Sequence, residues 1–194
     1  MGLTVFCRLH ARRVQSNTIG HPFRRAVMAR IKPTRFGHAD PSGERIRPGT
    51  VICQYSAVEA QALATEWLAV FGANAHTVNT NAFLWHVFSA DCYSSISGAA
   101  AIDAYQQQSG VAFVVLSNDR TVAFVTDKLP ESSSLSDYYV FPPNMAWTMC
   151  FTHEDGWLGP YFARHPKWEQ LDQINQSTLQ KSHEKAAARR KGYW

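Results

Sequence analysis

His153, Glu154 and Asp155 stand together in the chain, and with His86 and Tyr161 they make the polar constellation worth testing for chemistry. Imidazole nitrogens and carboxylate oxygens are the ordinary ligands of a divalent metal, and the same groups act as general acid and base in hydrolysis. The spacing supports less than the residue types do. No His-Glu-x-x-His pair, no Gly-x-Ser-x-Gly elbow and no glycine-rich phosphate loop occurs, and Ser97-Gly98 has no lysine to complete one. Cys7, Cys53, Cys92 and Cys150 stand far apart with no C-x-x-C pair, which argues against a zinc site and a disulfide scaffold and fits a reduced, cytoplasmic setting. Cys150 reads as a small buried residue, and pairing it or Cys92 with a histidine for nucleophilic catalysis is only a paper alternative.

The simpler reading of His153, Glu154 and Asp155 is a hydrogen-bonded turn that anchors the end of a strand, and of His86 a hydrogen-bonded core histidine. On that reading no catalytic, metal or cofactor role is assigned and no cofactor is expected. The chemical alternative needs the two segments that carry the histidines to lie side by side, with both side chains on one face.

The elements that would position these groups follow from periodicity. Residues 147–152 alternate Trp147, Met149 and Phe151 with Thr148, Cys150 and Thr152, which predicts a strand whose larger face is core. Gly156 ends the turn after it, and Gly159-Pro160 keeps the following segment from being a helix interior or a central strand. Ser56 and Glu59 form a capping box ahead of Ala60, Leu63, Ala64, Trp67, Leu68 and Phe71, which predicts a helix over 56–71 stopped by Gly72. Residues 84–89, apolar except for His86 and Ser89, predict a strand buried on both sides. A second amphipathic helix is expected over 99–108. Residues 111–116 and 121–125 form a hairpin around Ser117-Asn118-Asp119-Arg120, and 138–141 a short strand after a serine-rich loop at 131–136.

The fold class is therefore α+β: a two-layer domain over 51–165 with an antiparallel sheet of four or five short strands and two helices packed on it. Residues 1–50 are expected to be a basic, extended or disordered arm. Residues 166–194 are expected to be a basic helical tail that projects or frays, with Trp168, Leu171 and Ile174 or Asn175 offering an apolar face for two turns. Met28 offers an alternative start that would leave residues 1–27 outside the functional chain.

Charge is divided sharply along these boundaries. Residues 1–48 hold ten Lys or Arg against Asp40 and Glu44, net +8, and residues 49–178 hold four against twelve acids, net −8. Residues 179–194 return to net +4, so a pI near 9.0 conceals an acidic body between two basic arms. No apolar run approaches the roughly eighteen residues a membrane helix requires, and no signal peptide is evident, so a soluble cytoplasmic protein is expected.

Residues 83–89, the helix spanning Gly98 to Tyr105, the hairpin, Trp147-Thr148, Thr152-His153-Glu154 and Gly159-Pro160-Tyr161-Phe162 together resemble a bacterial family catalogued as domain of unknown function 4275, over about residues 56–165. The resemblance implies a small α+β domain and passes on no catalytic residues, since the family carries no assigned activity. Two function classes then stand. One is a non-enzymatic interaction module of the immunity or antitoxin kind, in which acids such as Asp119, Asp127, Glu131, Asp137, Glu154 and Asp155 meet a basic protein partner. The other is a hydrolase-like or metal-dependent enzyme using His153 with Glu154 or Asp155. A third reading, further behind, tethers the domain to nucleic acid through the basic arms.

Overall fold

Ser56 opens the first helix as the capping box predicts: its hydroxyl accepts from the Glu59 amide at 3.3 Å, and the Glu59 carboxylate accepts from the Ser56 amide at 2.7 Å. The computed structural model describes residues 45–154 and 156–192. In chain order the elements are β1 (Ile46–Arg47), β2 (Val51–Tyr55), α1 (Ala57–Phe71), α2 (His86–Ser89), β3 (Ile96–Ser97), α3 (Gly98–Gln106), β4 (Phe113–Ser117), β5 (Ala123–Thr126), β6 (Ser132–Ser133), β7 (Tyr138–Phe141), β8 (Trp147–Phe151), β9 (Tyr161–Arg164) and α4 (Trp168–Arg190). Since the Ser56 cap satisfies helix-end donors, Ser56→Ala should cost about 1 kcal/mol in urea unfolding, and Ser56→Asp, which keeps an acceptor there, should stay near wild type.

The α+β class with antiparallel pairing stands, but the sheet is larger than expected. Seven strands run in the order β2-β5-β4-β7-β8-β9-β3, every neighbouring pair antiparallel, and β1 with β6 makes a separate two-stranded ribbon. The central hairpin β4–β5 falls where the sequence puts it. Strand β9 begins one residue after Pro160, so the ring that lacks an N–H stays outside the ladder.

The strand expected at 84–89 is a correction: these residues form a turn and the short helix α2. Leu84, Trp85, Val87 and Phe88 are all buried, as an apolar run in either conformation would be, and burial without alternation does not separate helix from strand. What separates them is the backbone. The Leu84 amide donates to Asn118 Oδ1 at 3.1 Å and the Trp85 amide to the Tyr139 hydroxyl at 3.1 Å, so side chains take the place of a ladder partner.

The two-layer arrangement also gives way, to helices on both faces. Along β4, Val114 and Leu116 join Trp67 and Phe71 of α1 and Val87 and Phe88 of α2, whereas Phe113 and Val115 join Ala101 and Tyr105 of α3. Trp168 and Leu171, near the start of α4, pack against this second cluster. Both faces of β8 are therefore core: Trp147 and Met149 lie in one cluster, Cys150 lies in the other, and Thr148 is fully buried.

The expected N-terminal arm lies outside the described residues except for its last six. Of these, Ile46 and Arg47 pair with Ser133 and Ser132, which also places a short strand inside the predicted serine-rich loop. At the other end, α4 is one continuous helix with no buried residue. Its contact with the body includes Trp168, Leu171 and Asn175, with Asn144 Nδ2 donating to the Leu171 carbonyl and to Asn175 Oδ1, each at 2.9 Å, and Gln176, whose Nε2 donates to the Ser109 hydroxyl at 3.3 Å, while Ile174 is 58% exposed. No helix among the described residues is long and apolar enough to cross a membrane.

Candidate functional site

The β7–β8 register pairs Tyr138 with Phe151, so the residues just beyond that rung, Asp137 before β7 and Thr152-His153 after β8, meet at one end of the sheet. Asp137 is the acceptor that organises them. One carboxylate oxygen takes the His153 amide at 3.1 Å and the Trp85 indole N–H at 3.1 Å, and the His153 ring Nδ1 lies 3.0 and 2.9 Å from the two oxygens. The Asp137 side chain is 9% exposed and that of His153 is 40% exposed, so the pair has one wet partner and one nearly dry.

His153 rests on an aromatic shelf. Its ring centroid is 5.1 Å from Phe83 and 6.4 Å from Trp85, and its Nε2 is 3.8 Å from a Glu154 oxygen. His86 packs on the same two rings, 5.4 Å from Phe83 and 4.6 Å from Trp85, with its Nδ1 3.2 Å from the Asn79 carbonyl. The two imidazoles thus share a pair of aromatic neighbours, and each directs its Nδ1 to a different acceptor. Asp155 lies outside the described residues. Among the described residues no three His, Cys, Asp or Glu side chains come together as a metal-ligand set.

The loop that carries Phe83 and Trp85 is strapped down by the β4–β5 turn. Asn118 Oδ1 accepts from the Tyr139 hydroxyl at 2.7 Å as well as from Leu84, its Nδ2 donates to the Ala82 carbonyl at 2.8 Å, and Arg120 donates to the Thr80 carbonyl. Asp119 in the same turn accepts from the Ser117 hydroxyl and from Thr121, and the Ser117 bond is the main reason its carboxyl sits below the usual range. Cys150 is fully buried, and burial pushes its thiol well up, which keeps it neutral. Cys92 is half-buried, with its thiol 3.7 Å from the Ala90 carbonyl.

The hydrogen bond that the His153 ring donates to Asp137 is the main reason its pKa stands above the ordinary 6.5; desolvation opposes it, and the charges of Asp137 and Glu154 add to the rise. A folded-state pKa above the unfolded one means that protonated His153 favours the fold. That contribution is complete below about pH 6.5 and is lost as pH rises through the folded-state pKa. An NMR titration should therefore place His153 above the ordinary histidine value, and His153→Gln should remove the corresponding slope from a plot of stability against pH.

Two open clefts mark the far end of the sheet, around β3. One, of about 490 Å³, is lined by residues that include Cys92, Tyr93, Ile96, Phe162 and Arg164. The other, of about 510 Å³, lies between the start of α3 and the 156–161 segment, with Ile102, Trp157, Leu158 and Tyr161 in its walls. Neither His86 nor His153 lines them. Sequence named Asp137 only among the acids that would meet a basic partner, not beside His153, and gave Asn118 and Trp157 no site role. The signal for Asp137 lay in its place just before a predicted strand next to the one that ends at His153, and it needed the strand order to be read.

No curated protein and no solved structure matches the chain. A family model described as a domain of unknown function (DUF4275) matches residues 60–162, more than half of the 194 residues and nearly the whole span from α1 into β9, so the chain belongs to that family.

Proposed function

We propose that this domain is a non-enzymatic protein-interaction module of the immunity or antitoxin kind, with an acidic body that covers a basic surface on a partner. The observation that carries the reading is the net −8 of residues 49–178, the stretch of sequence from β2 to the middle of α4. Several of these acids hold fixed positions: Asp127 accepts from the Thr50 amide at 2.7 Å, and Asp119 is tied into its turn and kept ionised. Fixed, charged carboxylates favour fast, selective encounter with a complementary surface. The test is affinity capture from native lysate at low salt, with any captured basic protein identified, purified and recombined. The association rate of the recombined pair should fall steeply with ionic strength. Recovery of no basic partner, or a rate indifferent to salt, would sink the reading.

A second reading has one observation in its favour. His153 has its Nδ1 set by a nearly buried carboxylate while the imidazole stays 40% exposed, the arrangement that orients a general base toward solvent. On this reading a hydrolase-like enzyme uses His153 as the base and Asp137 as the group that positions it, with Glu154 alongside. Screening ester, amide and phosphoester substrates against wild type and His153→Gln would decide it, since turnover that survives the substitution rules this base out.

A further inference from the structure

Among the described residues that line the cleft of about 490 Å³ beside β3, Arg164 is the one Lys or Arg. No carboxylate among the described residues lies within ion-pair reach of it. Its guanidinium carbon stands 4.2 Å from the centre of the Trp168 ring. A guanidinium stacked on an indole has one face covered and its side chain held, while its N–H groups, which lie in its plane, stay free to donate sideways. An arginine so held, with no acid to pair with, is set for an anion that the described residues do not supply.

The backbone adds a second donor. The β3 ladder stops at Ile96 opposite Phe162, so β9 runs on past its neighbour. The His165 amide donates to the Ala146 carbonyl at 2.9 Å, on the β8 side, so by strand alternation the amide and carbonyl of Arg164 point the other way. That carbonyl accepts from the Tyr93 hydroxyl at 2.7 Å, whereas the Arg164 amide has no acceptor among the described residues. Asn74, Ser94 and Ser95 bring further polar groups to the same cleft, and their side chains form no hydrogen bond with the described residues. Ile96, 44% exposed, and Phe162 supply an apolar wall. Tyr93 is packed on Phe71 and Phe88, with ring centroids 5.3 and 6.1 Å apart, so the cleft is formed before any ligand arrives.

We propose that this cleft binds a small carboxylic acid, its carboxylate on the Arg164 guanidinium and amide and the two serine hydroxyls, its apolar body against Ile96 and Phe162. The class follows from the donors. One planar guanidinium matches the two oxygens of a carboxylate, whereas a phosphate carries more charge and is held by several cations or a nest of amides. The net −8 of residues 49–178 repels anions diffusely and is screened by salt beyond about 8–10 Å, a distance far greater than that of the guanidinium contact. Neither His86 nor His153 lines the cleft, and the site does not depend on the interaction-module reading.

The test is an amide NMR titration of the full chain with acetate, butyrate and phenylpropionate, with phenylpropionamide and inorganic phosphate as controls. Phenylpropionate should bind the tightest and shift the amides of Ser94, Ser95 and Arg164. The uncharged amide analogue should bind about tenfold more weakly, as loss of a charge-assisted pair requires. Arg164→Gln should weaken the acid by a similar factor, and Arg164→Lys, which keeps the charge and loses the planar fork, by several-fold. Lys128→Gln, a cation elsewhere on the body, should change nothing. If Arg164→Gln disturbs the fold, seen as shifts spread through the whole spectrum, Arg164→Lys and Ser95→Ala make the comparison instead, and full affinity in both overturns the site. Binding by none of the three acids, equal affinity for the acid and its amide, or affinity indifferent to Arg164 also overturns it. Phosphate bound as tightly as phenylpropionate, and lost with Arg164→Gln, would assign the cleft to a phosphate-bearing ligand and overturn the carboxylate.

Discussion

Trp67→Ala should lower the free energy of unfolding by about 3–5 kcal/mol, the cost of removing a fully buried indole from a packed core. Trp67 is 0% exposed and contacts Phe71, Phe88 and Tyr139 at ring-centroid distances of 5.2, 5.7 and 5.2 Å, so truncation would open a void bounded by three rings and two helices. It also breaks the bond from Trp67 Nε1 to the Thr148 hydroxyl at 2.9 Å, which ties α1 to β8, and leaves a polar group without this donor inside the core. Trp67→Phe keeps most of the volume and loses the bond, and should cost about 1–3 kcal/mol. Val58, on the same helix but 81% exposed, is the internal control: Val58→Ala should stay within about 0.5 kcal/mol. Urea unfolding of the three variants checks the ranking, and a Trp67→Phe protein as stable as wild type would show that the indole N–H does not hold the two elements together.

Asp137→Ala should cost roughly 2–4 kcal/mol, with Asp137→Asn costing about half as much. The larger part comes from the Trp85 indole N–H, a donor on a side chain that is 1% exposed and that would be left without its acceptor. The ion pair with His153 adds little, since the imidazole is open enough to solvent for water to screen it. Asparagine keeps one oxygen for the indole and loses the negative charge, so the two effects separate. Asp137→Asn should return His153 toward its ordinary pKa, because the main cause of the upward shift is gone, while retaining much of the stability that alanine loses. Unfolding by urea at two pH values, combined with an NMR titration of His153, reads both. A His153 pKa unchanged in Asp137→Asn would mean that Glu154 sets it.

The helix over 56–71 and the hairpin were legible because each has its own local signal: a capping box with a stripe at spacings of three and four, and two β-branched runs around a polar turn. Family membership was legible from the short motifs between 83 and 162, and the match falls on the same segment. Residues 84–89 were misread because their conformation is decided elsewhere in the chain. Asn118 and Tyr139 supply acceptors to the backbone of that run from 34 and 54 residues away, and without them a short apolar run looks like a strand. Strand β2 carries only Val51, Ile52, Cys53, Gln54 and Tyr55 before the cap, too short to stand out from the basic segment ahead of it. Helices on both faces were missed for a related reason: α1 and α3 are each amphipathic, and periodicity says which side of a helix is apolar but not which side of a sheet it covers.

The site was legible in composition and illegible in arrangement. His153 and Glu154 do sit in a turn at a strand end. Their partner Asp137 lies 16 residues upstream, and only the β7–β8 pairing brings it within reach. His86 and His153 were expected to meet directly if they met at all; instead they stand against the same two aromatic rings, with Nδ1 engaged by separate acceptors.

Helix α4 divides charge among the described residues. At about 1.5 Å per residue its 23 residues extend about 35 Å, and past Asn175 it carries Lys181, Lys185, Arg189 and Arg190 away from a body of opposite sign. Charge of one kind at the end of a rod and of the other kind in the globe makes an electric dipole. Near a charged surface, these two opposed charges feel a torque as well as a pull.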